Sequence, residues 1–100
     1  MNIVEVSKVL SNQTRLDILE WLKDPAAHFP PHLELGHFDF GVCVVFIKDK
    51  AELSQSTISQ YLSQMERADF LISTRVGKWT YFQRNEEFIK TYAAYLAENL

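Results

Sequence analysis

Apolar residues recur along the chain with a helical period in its first, middle and last parts and with a strand-like character in one region between them. Residues 3–10 set Val6, Val9 and Leu10 on one side and Glu5 and Lys8 on the other, which predicts an amphipathic first helix. Ser11 and Asn12 interrupt it with capping residues. Leu16, Ile18, Leu19 and Leu22 then resume the pattern over Arg15 to Leu22. Asp24-Pro25 closes that second helix, because the residue before a proline is pushed out of the helical region. Residues 25–41 hold all three prolines, all three histidines and two of the three glycines without a sustained period, so they read as one long surface loop. A loop of that length in a compact domain usually carries function or moves. From Val42 the chain turns apolar through Val45, Phe46 and Ile47 and then charged at Lys48-Asp49-Lys50, which predicts a short third helix buried along one side.

The segment Leu53 to Asp69 is the clearest helix. Ser54 is placed to accept from the amide of Thr57, and Ile58, Leu62 and Met65 form a narrow apolar stripe with Tyr61 at its edge. Ser56, Gln60, Ser63 and Arg67 share the opposite face, with Ser59 beside them. That face is uncharged over its first two turns yet rich in hydrogen-bonding side chains. Phe70 to Val76 and Trp79 to Arg84 are β-prone runs separated by Gly77-Lys78, the pattern of a type II′ hairpin. Asn85 then caps a final helix whose first turn carries Glu86 and Glu87. Its apolar side, Phe88, Ile89, Tyr92, Tyr95, Leu96 and Leu100, is too wide to leave in water. The fold class expected is mainly α with a β-hairpin wing, in the order α-α-α-α-β-β-α.

Composition narrows the setting. With 100 residues, 47% of them hydrophobic and 23% charged, one globular domain spanning 1–100 is expected, large enough to bury roughly two-thirds of its unfolded surface. Cys43 is the one cysteine, which excludes a disulfide framework and fits a reducing compartment, so the cytoplasm is the expected location. The longest apolar run, Val42 to Ile47, is far short of the roughly 20 residues a membrane helix needs, and the charged start at Glu5 and Lys8 does not resemble a signal peptide. The formal charge of −3 argues against a polyanionic partner only on average. Residues 54–84 carry +2, with Arg67, Arg75, Lys78 and Arg84 set against Glu66 and Asp69, and local charge decides where a polyanion docks.

A short helix, a turn and a second helix with a bare polar face make helix-turn-helix geometry, in which the second helix enters the major groove and reads base edges. The basic hairpin tip then serves as a wing that sets Lys78, with Arg75 nearby, against phosphates or the adjacent minor groove. Three segments, Ser11-Asn-Gln-Thr-Arg-Leu-Asp-Ile-Leu19, Leu53-Ser-Gln-Ser-Thr-Ile-Ser-Gln-Tyr-Leu62 and Gly77-Lys-Trp-Thr-Tyr-Phe82, closely resemble the signature segments of the ArsR/SmtB family of winged-helix repressors. The resemblance covers nearly the whole chain except residues 25–41. It implies a homodimer joined through the first and last helices, binding to a double-stranded DNA operator, and release when an effector binds. It places the base-contacting positions on Gln55, Ser56, Thr57, Ser59 and Gln60, and the wing on Arg75 to Trp79.

The chain also departs from that pattern. Tyr61 stands where many members have His, and Asp69 where members usually have Gly at the helix end. Metal-sensing members carry a Cys-Val-Cys-Asp box at the start of the third helix, whereas Cys43-Val44-Val45-Phe46 keeps only the first cysteine. Residues 85–100 contain no histidine, so the Asp and His ligands other members place on the last helix are missing too. No metal and no cofactor is therefore expected, since soft-metal sites need several thiolates. Cys43 reads as a buried small hydrophobe, with a redox-sensing role as the alternative. His28, His32 and His37, with Glu34 and Asp39 nearby, read as a polar loop rather than a zinc or nickel site. The phenylalanines Phe29, Phe38 and Phe40 predict that part of this loop folds back on the domain. An enzyme is disfavoured, because no nucleophile-base order, phosphate loop or carboxylate pair is present. A winged-helix module used only for protein assembly remains the alternative to a DNA-binding repressor.

Overall fold

A computed structural model describes all of residues 1–100. Six helices and three strands follow in the order α1 (Ile3–Lys8), α2 (Gln13–Lys23), α3 (Pro25–His28), β1 (Val42–Cys43), α4 (Val44–Ala51), α5 (Gln55–Arg67), β2 (Leu71–Val76), β3 (Trp79–Arg84) and α6 (Glu86–Asn99). Asparagine and serine caps start four of the helices. Asn2, Asn12, Ser54 and Asn85 each accept, through a side-chain oxygen, from the amide three residues on, at 3.0–3.2 Å. The core joins Ile18, Leu19 and Leu22 of α2 to Ile47 of α4, the Ile58, Leu62 and Met65 stripe of α5, and Phe70, Leu71 and Phe82 of the sheet region. No helix is long and apolar enough to cross a membrane.

The winged helix-turn-helix order is present, with two corrections. Residues 25–41 are not wholly irregular: Pro25, pre-set for a first helical turn, begins the one-turn α3, and Phe29 just after it is buried beside Trp21. Val42 and Cys43 are not helical either. They form a two-residue strand, and the sheet is three-stranded and antiparallel in the order β1-β3-β2, with Val42 opposite Phe82 and Cys43 opposite Tyr81. Gly41 allows this pairing. Its φ is +90°, and a Cβ there would collide with the backbone carbonyl of Phe82.

Two turns fix the reading elements. The C-terminus of α5 closes with the Asp69 amide donating to the Glu66 carbonyl and the Phe70 amide to the Met65 carbonyl, at 3.0 Å each, around Asp69 at φ 70°. This is the Schellman arrangement, and Met65 and Phe70 are both buried beneath it. At the hairpin tip Val76 pairs with Trp79, Gly77 has φ +60°, and Lys78 does not share the positive φ, as a type II′ turn requires.

Candidate nucleic-acid interface

Helices α4 and α5 are joined by Glu52, Leu53 and Ser54, with Glu52 in the left-handed conformation at φ 55°. A turn of this length joins the two helices of a helix-turn-helix and often contains glycine. Here a glutamate takes that conformation, so the turn carries no glycine signal in the sequence. Burial of Ile58, Leu62 and Met65 holds α5 by one side, which leaves Gln55, Ser56, Ser59, Gln60, Ser63 and Arg67 exposed and Thr57 half-buried.

The exposed side chains are not equivalent. Ser54 Oγ accepts from the Thr57 amide at 3.2 Å, donates to Thr57 Oγ1 at 2.9 Å and lies 3.2 Å from Ser56 Oγ, so these three hydroxyls are engaged at the helix start. The Gln55 amide donates to Ser59 Oγ at 2.9 Å. Gln60, one turn further on, presents its amide to solvent. Gln55, Ser59 and Ser63 share a cleft of about 240 Å³ with Thr80 of β3, which brings the polar face of α5 alongside the wing strand. Glu66 accepts from Ser73 of β2 and ties the helix to the hairpin.

At the wing tip Arg75 and Lys78 are both exposed. The Arg75 Nε donates to the Gly77 carbonyl at 2.9 Å, and Lys78 Nζ lies 5.3 Å from the centre of the Trp79 ring. Arg84, counted in the basic stretch, serves a different end. Its side chain is only 13% exposed, pairs with Glu86 and donates to the Leu19 carbonyl at 3.3 Å, so it joins β3 to α2. Tyr61 faces α2, not the bare face of α5. Its hydroxyl accepts from Asn12 Nδ2 at 3.3 Å and its ring carries the Arg15 guanidinium. Asn12 and Arg15 lie inside the first signature segment, yet their bridging role depends on a contact nearly fifty positions away that periodicity does not reveal.

The residues that sequence reading weighed for metal or redox chemistry lie apart. Cys43 is buried, and burial pushes its thiol up from the ordinary value. His28 is exposed, His37 lies 3.6 Å from an Asp39 carboxylate oxygen, and His32 packs among aromatic rings. No three side chains of His, Cys, Asp or Glu converge. The single buried thiol does not fit a thiophilic ion.

No protein-family model matches the chain. Individual proteins do. The uncharacterized HTH-type transcriptional regulator YbzH of Bacillus subtilis (strain 168) is 48% identical over 96 residues, which is 96% of each chain. The chain belongs to the ArsR-like helix-turn-helix transcriptional regulators. The putative arsenical resistance operon repressor ArsR2 of Halobacterium salinarum is 26% identical over 83% of this regulator and 59% of its own length. The arsenic resistance transcriptional regulator ArsR1 of Pseudomonas putida is 37% identical over 46% of this regulator and 36% of its own length. These relatives are named as transcriptional regulators or repressors, which are not enzymes.

Proposed function

We infer that this regulator is a homodimeric, sequence-specific DNA-binding repressor that leaves its operator when an effector binds, with both DNA contact and dimerisation housed in residues 1–100. The observation that carries the reading is the bare face of α5, capped at Ser54, anchored by a buried stripe and flanked by a basic wing tip. In this reading Gln55, Ser56, Thr57, Ser59 and Gln60 meet the major groove, while Arg75 and Lys78 meet phosphates or the minor groove. Arsenic sensing does not come across from the named relatives, because the donor set here is one buried thiol.

The terminal helices support the dimer. Neither α1 nor α6 contains a buried residue, although Ser7 Oγ and Tyr92 OH bond each other at 2.7 Å. Val4 is 60% exposed and Leu100 95%, and Tyr95 and Leu96 are half-buried. An apolar surface of this kind usually marks an interface. Two-fold symmetry sets two recognition helices roughly 34 Å apart, one turn of DNA. A gel shift on the promoter region of its own gene, run at two salt concentrations, tests the reading. A complex that weakens steeply with salt supports it; no complex at either concentration contradicts it and favours the assembly module.

A further inference from the structure

The bare face of α5 is bordered on its two sides by different elements. Gln55, Ser59 and Glu66 line the cleft toward the wing strand, whereas Gln64 and Ala68, on the other side of the helix, face α1 and α2. Between these three helices opens a second cleft, of about 380 Å³, lined by Glu5 and Lys8 of α1, Arg15 of α2, and Gln64 and Arg67 of α5. Arg67 follows Gln60 by nearly two helical turns, so both side chains leave α5 in almost the same direction.

This cleft holds positive charge that nothing in the chain cancels. Arg15 spends its donors on neutral acceptors, the Val9 carbonyl at 2.6 Å, Gln64 Oε1 at 3.1 Å and the Lys8 carbonyl at 3.4 Å. Those bonds fix the guanidinium without neutralising it. Arg67 is exposed and makes no side-chain hydrogen bond or ion pair, unlike Arg84, which Glu86 holds. Lys8 is the exception, since a Glu5 carboxylate oxygen lies 3.2 Å from its ammonium. Two unpaired guanidinium groups therefore border one opening, and guanidinium geometry suits phosphate oxygens.

Helix geometry sets where this charge meets DNA. With the first turns of α5 on base edges, Arg67 is carried about 10 Å further along the axis than Gln60. The major groove is about 12 Å wide, so the last turn of α5 comes to the backbone at the groove's edge. We propose that Arg67, with Arg15 behind it, is a second phosphate clamp, on the side of α5 away from the wing, and that its ligand is the DNA backbone between the two half-sites. Helix α1 belongs to the dimer surface inferred above, so the cleft lies toward the two-fold axis and the wing lies outward. Glu5 opposes the clamp by cancelling Lys8 at its rim. The proposal rests on the repressor reading and adds a set of backbone contacts to it.

The test titrates the full chain with the promoter fragment of its own gene and with a random duplex, across a salt series. Arg67→Ala should weaken both at least threefold and reduce the magnitude of the salt slope by about one unit, while Arg67→Lys keeps the parent slope. Glu5→Gln should act in the opposite sense and strengthen both duplexes at least twofold, because it frees Lys8. A cleft that only packs helices together gives no such gain. Arg67 and Glu5 are exposed, so the melting midpoints of these variants should stay with the parent's. Ethylation interference on the promoter fragment supplies the position: Arg67→Ala should lose the signals between the half-sites and keep those at the outer edges, and Lys78→Ala the reverse. An Arg67→Ala slope equal to the parent's overturns the clamp, as does a loss of signals at the outer edges only. Unchanged or weaker binding by Glu5→Gln removes the cleft from the DNA path and overturns it too. If the parent itself binds neither duplex, the repressor reading fails and the clamp with it; if the parent binds and Arg67→Ala matches it, the clamp alone fails.

Discussion

The Arg15 guanidinium lies over the Tyr61 ring, 5.1 Å from its centre, and in doing so locks α2 to the exposed helix of the helix-turn-helix pair. The same guanidinium donates to the Val9 carbonyl at 2.6 Å and to Gln64 Oε1 at 3.1 Å, so one side chain gathers α1, α2 and α5. Arg15→Ala removes a planar fork of charged donors and leaves the Val9 carbonyl unpaired, at a cost of about 2–3 kcal/mol. Arg15→Lys should recover less than half of that loss, because an ammonium cannot reach both acceptors and stack as well. Urea denaturation midpoints check both; equal midpoints for parent and Arg15→Ala would show the clamp to be idle.

Backbone geometry gives a pair of opposite predictions. Gly41→Ala places a Cβ against the Phe82 carbonyl in a left-handed conformation, and should destabilise by at least about 3 kcal/mol by unpairing β1. Asp69→Gly relieves the left-handed strain at the end of α5 and should stabilise by about 0.5–1 kcal/mol. Thermal melts of the two variants beside the parent are sufficient to read the signs.

These same positions show what the chain announces locally. Ser54, Asn85, the Gly77-Lys78 turn and the stripe of α5 are legible because each depends on neighbours within one or two turns, and each is found where periodicity and capping place it. Asp69 was also legible, as the residue that stands in for a glycine. The strand Val42–Cys43 was not, since two residues carry no period and exist as a strand only through β3, some forty positions away. The same limit hid the seating of His32 among Phe46, Trp79 and Tyr81. Within the candidate site, the exposed face of α5 and the wing tip were readable, whereas Tyr61 turning to α2 and Arg84 being held by Glu86 and Leu19 required the folded chain.

Burial raises the pKa of both Cys43 and Tyr81, chiefly by desolvating the charged form. The folded chain therefore keeps both protons at pH values where the unfolded chain has begun to lose them. Stability is fully present below the ordinary thiol value, roughly 8.5, and falls as pH rises beyond it. Denaturation midpoints measured from pH 7 to 10 should decline more steeply in the parent than in Cys43→Ala. Parallel declines would remove the thiol from the account.

The apolar surface of α1 and α6 predicts a dimer at micromolar concentration in sedimentation experiments. A charged pair of substitutions on that surface, Val4→Glu with Leu96→Glu, should yield monomers whose secondary structure is retained and whose operator affinity falls at least tenfold, because two half-sites are no longer bound together. A parent that sediments as a monomer would remove the dimer.

Gln60 and Lys78 divide the central claim between reading and positioning. Gln60 presents its amide from the exposed face of α5 and can pair bidentately with adenine, whereas Lys78 offers only charge. The decisive measurement is promoter-DNA affinity as a function of salt for the parent, Gln60→Ala and Lys78→Ala, each against specific and random duplexes. Gln60→Ala should lose about 1–3 kcal/mol on the specific duplex only, with its salt slope unchanged. Lys78→Ala should weaken both duplexes alike and reduce the magnitude of the salt slope by about one unit. If both variants bind both duplexes as the parent does, α5 and the wing do not read this DNA and the account is contradicted.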